Sequence, residues 1–208
     1  MSKLYKVKNK TRTLVQLSLL SAIIVVMAFT PLGFVPGTDI TLLAIPVAVG
    51  AILLGPSAGL YLGALFGLVS FVQCFGANPL GTLLLGVNPL LTFVMCFLPR
   101  LLMGWLCGLI YRGLVKAFKK EGHPVALTVA SLSSAVLNTV FFVSALILFF
   151  GTNANVLEAF GNRGIIGIIV TLVTVNAIFE AIAALVLGTA ITGALLHYFN
   201  RSGIERTR

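Results

Sequence analysis

Residues 41–75, TLLAIPVAVGAILLGPSAGLYLGALFGLVSFVQCF, contain no charged side chain, and the tight-turn signal Gly55-Pro56-Ser57 divides them in two. Apolar runs on either side of such a turn predict two helices, 41–54 and 58–75, with the second returning beside the first. The first is short for a crossing, which takes about 20 apolar residues. Outside this stretch the pattern continues: between Arg12 and Arg100 the only formal charge is Asp39.

The whole chain has the composition of a protein dissolved in lipid. Its 208 residues are 59% hydrophobic and 9% charged, against about 25% charged in soluble domains, and mean hydropathy is +1.10. Breakers place further helices at 14–29, 90–117 with a kink at Pro99, 125–150 and 165–199. A short apolar piece between Asn78-Pro79 and Asn88-Pro89 cannot span and reads as a folded or re-entrant loop. The predicted fold class is an all-α integral membrane protein with six transmembrane helices in a compact bundle. It is a single membrane domain over 1–208, with a basic N-terminus at 1–12, the bundle at 14–199 and a tail at 200–208.

Basic residues cluster before the first helix (Lys3, Lys6, Lys8, Lys10, Arg12), between the fourth and fifth (Arg112, Lys116, Lys119, Lys120) and after the sixth (Arg201, Arg206, Arg208). An even number of spans puts all three clusters on one side, so both termini are expected in the cytoplasm of a multi-pass cell-membrane protein. The net charge of +9 is mostly this topology signal, with some contact to anionic lipid. Nothing in it points to nucleic acid. No cleavable leader is expected, because the first apolar run is of spanning length and lacks a cleavage pattern. Cys74, Cys96 and Cys107 lie in apolar segments without metal-ligand spacing and read as packing residues.

Glu180 is the only full charge between Arg163 and Arg201. A carboxylate at that depth faces a protein cavity or a partner, because lipid exposure is costly. Asn176, four residues earlier, shares its helix face. Asn138, with Ser131 and Ser134 on the same side of the fifth helix, has an amide that lipid cannot satisfy. The three groups form either a network locking helix 5 to helix 6 or the polar wall of a binding site. Arg100 follows Pro99 and either recognises an anionic group or snorkels to headgroups. Asp39, Thr38 and Thr41 are ordinary first-loop residues. Asn78 and Asn88 precede prolines, where turn chemistry accounts for asparagine; Asn88 is also counted a candidate substrate-binding residue. Trp105 either stacks on a ligand or packs. Ser18 and Ala22, with Ser21 adjacent, make a small-residue stripe on helix 1, and Ala184, Gly188 and Thr192 make another on helix 6, for packing within the chain or against another subunit.

Zinc-peptidase, nucleophile-elbow, P-loop and dinucleotide-binding motifs are all absent, and the histidines, His123 and His197, lie at helix ends. The chain is not expected to be an enzyme or to hold a cofactor or metal, and ATP-driven work would fall to partner subunits.

Several stretches together carry a resemblance: Ile45-Pro46-Val47, Gly50 to Pro56, Gly63 to Leu68, Leu98-Pro99-Arg100, Ser133-Ser134 through Asn138-Thr139, and Asn176 through Ile182. In order, over nearly the whole chain, they resemble the substrate-binding S components of energy-coupling factor (ECF) vitamin transporters of prokaryotes, most closely the pantothenate type. The resemblance implies a six-helix bundle that captures a vitamin near the outer face and works with a transmembrane coupling subunit and two cytoplasmic ATPases, which use the ATP. Ser18 and Ala22 fall where the family contacts the coupling subunit, with serine in place of the usual alanine. Loops 32–40, 76–89 and 151–164 are the expected gates. On this reading Asn138, Asn176 and Glu180 bind hydroxyl and amide groups, and Arg100 pairs with a carboxylate. The alternatives are a relative for riboflavin, folate or another cofactor precursor, a stand-alone channel or secondary transporter using Glu180, and a scaffold without a small ligand.

Overall fold

A computed structural model describes residues 2–30, 41–120, 122–160, 166–167, 169 and 177–201. Its elements are helical: α1 (Ser2–Ala28), α2 (Ala44–Leu54), α3 (Pro56–Gln73), α4 (Pro79–Val87), α5 (Pro89–Phe118), α6 (Pro124–Phe150), α7 (Ala154–Ala159), α8 (Ile178–Ala183) and α9 (Thr189–Arg201), the last two joined by a π-helical turn, Ala184–Gly188. Among the described residues, five helical segments are long and apolar enough to cross a membrane: Thr11–Ala28, Pro56–Gln73, Pro89–Phe118, Pro124–Phe150 and Ile178–Tyr198.

The first helix departs from the sequence expectation. It begins at Ser2, because the basic stretch contains good helix formers and no Gly or Pro to stop it. The short piece before Asn88 is a nine-residue helix, α4. Helix α5 runs unbroken through the buried Pro99. Asp39, Arg163, Asn176 and the first loop, 32–40, lie outside the described residues.

Helix α2 is the pin of the bundle. Ala44 through Ile52 are all buried, and α1, α3, α5, α6 and the C-terminal helices all pack around it. Its 11 residues extend about 16 Å at 1.5 Å per residue, roughly half the hydrocarbon thickness. Gly55 ends it at φ 99°, a left-handed conformation that an L side chain rarely adopts. Pro56 then opens α3 at its first position, where its missing N–H is no loss.

The most extensive helix pair is α3 against α5, and glycine makes it possible. Gly59, Gly63 and Gly67 recur every four residues on α3 and face Gly104, Arg100 and Phe97 of α5. A Cβ on Gly59 would collide with the Gly104 carbonyl oxygen, one on Gly63 with the Arg100 carbonyl oxygen, and one on Gly67 would lie 2.8 Å from the Phe97 Cα. The backbones therefore touch, the small-residue mode of packing in lipid, where apolar side chains gain nothing by leaving one apolar medium for another. On the other flank, buried Ala184, Gly188 and Thr192 set the C-terminal helices against α6; a Cβ on Gly188 would stand 3.1 Å from the Ser131 Cβ. At the end of the π turn the Gly188 carbonyl accepts from the hydroxyl of Thr192 in α9 at 2.6 Å.

Candidate functional site

The C-terminal end of α3, the start of α4, the middle of α5 and α6 and the start of α8 converge at one end of the bundle, opposite the Arg112–Lys120 turn. Between them lies a cavity of about 110 Å³. Phe66, Ser70 and Gln73 line it from α3, Arg100 from α5, Asn138, Thr139, Phe142 and Val143 from α6, and Ala177 and Glu180 from the α8 end, with Thr41, Asn78 and Leu80 closing it.

Arg100 reaches the cavity from the centre of α5 and is only 8% exposed. Its Nη1 donates to the Met95 carbonyl at 3.0 Å. Its Cζ lies 4.6 Å from the Phe142 ring centroid and 5.5 Å from that of Phe66, within range of cation–π attraction. Nε is buried without a hydrogen-bond partner among the described residues. Glu180 lines the same cavity, and its Oε1 accepts from the Thr41 amide at 3.2 Å and the Thr41 hydroxyl at 3.4 Å. The carboxylate thus ties α8 to the residues that precede α2. No direct ion pair joins Arg100 to Glu180 among the described residues, so both present charge to the space between them.

Amides complete the lining. Asn138 is 6% exposed and its Oδ1 has no hydrogen-bond partner among the described residues, an unmet acceptor that buried polar groups seldom leave. Gln73 donates Nε2 to the Ala28 carbonyl at 2.6 Å, which leaves its oxygen to accept. Asn78 Oδ1 caps α4 by accepting from Gly81 N at 2.8 Å, which leaves its NH₂ to donate. The cavity therefore offers one fixed cation, one carboxylate, donors and acceptors from amides and hydroxyls, and an apolar wall of Phe66, Phe142 and Val143. Such a surface suits a small polar molecule that carries an anionic group and an aliphatic portion. Among the described residues no cluster of three His, Cys, Asp or Glu could hold a metal.

Of the residues singled out in the sequence, Arg100, Asn138 and Glu180 meet in this cavity; Asn176 is outside the described residues. Asn88 does not line it: its Oδ1 accepts from Leu91 N at 3.1 Å and caps α5. Replacing Asn88 by alanine is expected to lower unfolding stability by about 1 kcal/mol with ligand affinity unchanged, measured by thermal melts and titration on the same preparation. Trp105 lies on an exposed face of α5, and Ser18 and Ala22 are exposed on α1. Sequence reasoning missed Thr41 as a site residue, and also Phe66, Ser70, Gln73, Thr139 and Phe142. Gln73 carried a readable signal, since its amide is as hard to satisfy in lipid as that of Asn138.

A helical membrane bundle around a polar cavity has the form of a solute-capture subunit, and sequence comparison defines the class. Residues 12–192 match the family described as ECF transporter, substrate-specific component, and the chain belongs to that family. It is 28% identical over 205 residues to a pantothenate transporter, PanT, of Leuconostoc mesenteroides, covering 95% of this chain and 98% of the relative. It is 29% identical over 171 residues to a pantothenic acid transporter, PanT, of Lactococcus lactis subsp. cremoris, covering 78% and 80% respectively.

Proposed function

We propose that this S component captures pantothenate from the outer face of a bacterial cell membrane and delivers it inward together with a transmembrane coupling subunit and two ATPases. The observation that carries the reading is the buried Arg100 guanidinium facing Glu180 and Asn138 across one cavity. Pantothenate has a carboxylate for Arg100, hydroxyl and amide groups for Glu180, Asn138, Gln73 and Thr139, and a gem-dimethyl group for the wall of Phe66, Phe142 and Val143. Asn176, outside the described residues, is proposed as a further partner for the hydroxyl and amide groups. The names of the two PanT relatives support the same ligand.

In the proposed topology α2 counts as the sixth crossing element and both termini are cytoplasmic. The basic clusters support this, because the cavity then opens at the opposite, outer end. The exposed Ser18 and Ala22 face meets the coupling subunit, where small residues let another backbone approach.

The test is calorimetry and thermal shift on the purified, detergent-solubilised chain without nucleotide, against pantothenate, riboflavin, folate, thiamine, biotin and pyridoxine. Tight binding of pantothenate alone is expected. Selective binding of another vitamin reassigns the cargo, and no binding by folded protein overturns the reading.

A further inference from the structure

Arg100 is held by more than its own helix. The Met95 carbonyl occupies Nη1, and the Phe142 and Phe66 rings lie 4.6 Å and 5.5 Å from Cζ. Among the described residues the side edge formed by Nε and Nη2 has no hydrogen-bond partner: Nε is buried and unpaired, and the guanidinium's hydrogen bond is made by Nη1. Two parallel N–H groups on one edge of a guanidinium match the two oxygens of a carboxylate. A flexible arginine would sample many poses, and a point charge such as lysine has no edge to present. Rings against the guanidinium remove that freedom before the ligand arrives, so less of the binding free energy goes to ordering the side chain.

From this arrangement we infer that Phe66 and Phe142 are specificity-determining positioning residues, which stack the guanidinium so that its Nε–Nη2 edge selects a planar carboxylate over a neutral group of similar size. The inference rests on the proposed carboxylate-binding role of Arg100. It assigns the discrimination to the geometry of the cation as well as to its charge. Phe142, the nearer ring, carries more of it.

The experiment compares pantothenate with pantothenol, in which CH₂OH replaces the carboxylate, by calorimetry on the full chain in detergent. Wild type is expected to prefer the acid. Phe142→Leu is expected to weaken acid binding about tenfold more than it weakens alcohol binding, since the ring also walls the aliphatic portion common to both, and Phe142→Tyr to restore the acid preference. Arg100→Lys, which keeps the charge but has no planar edge, is expected to retain a reduced acid preference. A ring that merely walls the cavity would instead weaken acid and alcohol equally in Phe142→Leu, and that result overturns the inference, as does an unchanged acid preference. If Phe142→Leu does not fold, the Arg100→Lys comparison decides: an undiminished preference overturns the edge geometry. Arg100→Ala separates the two levels. If it abolishes the preference while Phe142→Leu keeps it, only the positioning role fails; if it has no effect, the carboxylate reading fails with it.

Discussion

Replacing Arg100 by alanine is expected to weaken pantothenate binding by about 2–5 kcal/mol, which is roughly 30-fold to several thousandfold at 1.4 kcal/mol per decade. The effect is large because the ligand carboxylate would enter a cavity walled by Phe66, Phe142 and Val143 with no cation left to replace its lost hydration. The same substitution is not expected to destabilise the empty protein. The guanidinium is buried with one hydrogen bond and an unpaired Nε, a strained state that binding relieves and that alanine removes. Melting temperature without ligand should therefore hold or rise while affinity collapses, the signature of a residue kept for function at the expense of stability. Titration and melting curves on one preparation check both halves, and unchanged affinity would eliminate the proposed carboxylate contact.

The largest effect on folding is expected from Gly59→Leu. A Cβ at this position already collides with the Gly104 carbonyl oxygen and would lie 2.7 Å from the Ala51 Cβ, so the leucine can be housed only by driving α3 away from both α5 and α2. Overpacking by single methylenes costs about 1–3 kcal/mol; here a whole branched side chain meets backbone, which cannot change rotamer. Failure to yield a monodisperse, cooperatively melting protein is expected. Gly113→Ala is the control: nothing lies within 4 Å of a Cβ there, the residue is inside α5, and removing unfolded-state freedom should stabilise by about 0.4–1 kcal/mol. If Gly59→Leu melts like wild type, the backbone contact between α3 and α5 is not what holds the pair together.

Different physical signals made the fold and the site legible to different degrees. The hairpin at Gly55-Pro56 was readable because a glycine and a proline leave the backbone few options, and the starts of α5 and α6 follow from Pro89 and Pro124 in the same way. The reach of α1 was not, since hydropathy marks where a helix is apolar and not where it begins. The four-residue spacing of Gly55, Gly59, Gly63 and Gly67 was in plain view, yet only the neighbour each glycine meets turns spacing into contact. At the site, groups that lipid tolerates poorly stood out: Arg100, Asn138 and Glu180. Thr41, Phe66 and Phe142 are unremarkable residue types in an apolar chain, and no local pattern distinguishes a phenylalanine facing a cation from one facing lipid. Asn88 shows the converse, a polar residue whose side chain is occupied in capping its own helix.

Arg100 stands 11 residues beyond Pro89, the first residue of α5, about 16 Å along the helix axis. The 30 residues of α5 extend about 45 Å, so with the helix centred, on the proposed orientation, in a hydrocarbon layer about 30 Å thick, Arg100 lies roughly 8 Å inside the outer boundary. An anion reaching it has crossed about a quarter of the transmembrane voltage before any ATP is used. A full elementary charge moved through 100 mV involves about 2.3 kcal/mol, so seating the carboxylate at this depth opposes an inside-negative potential by about 0.6 kcal/mol. Capture by this subunit is then an electrogenic step, and an energised cell will hold its cargo less tightly than the same protein does in detergent.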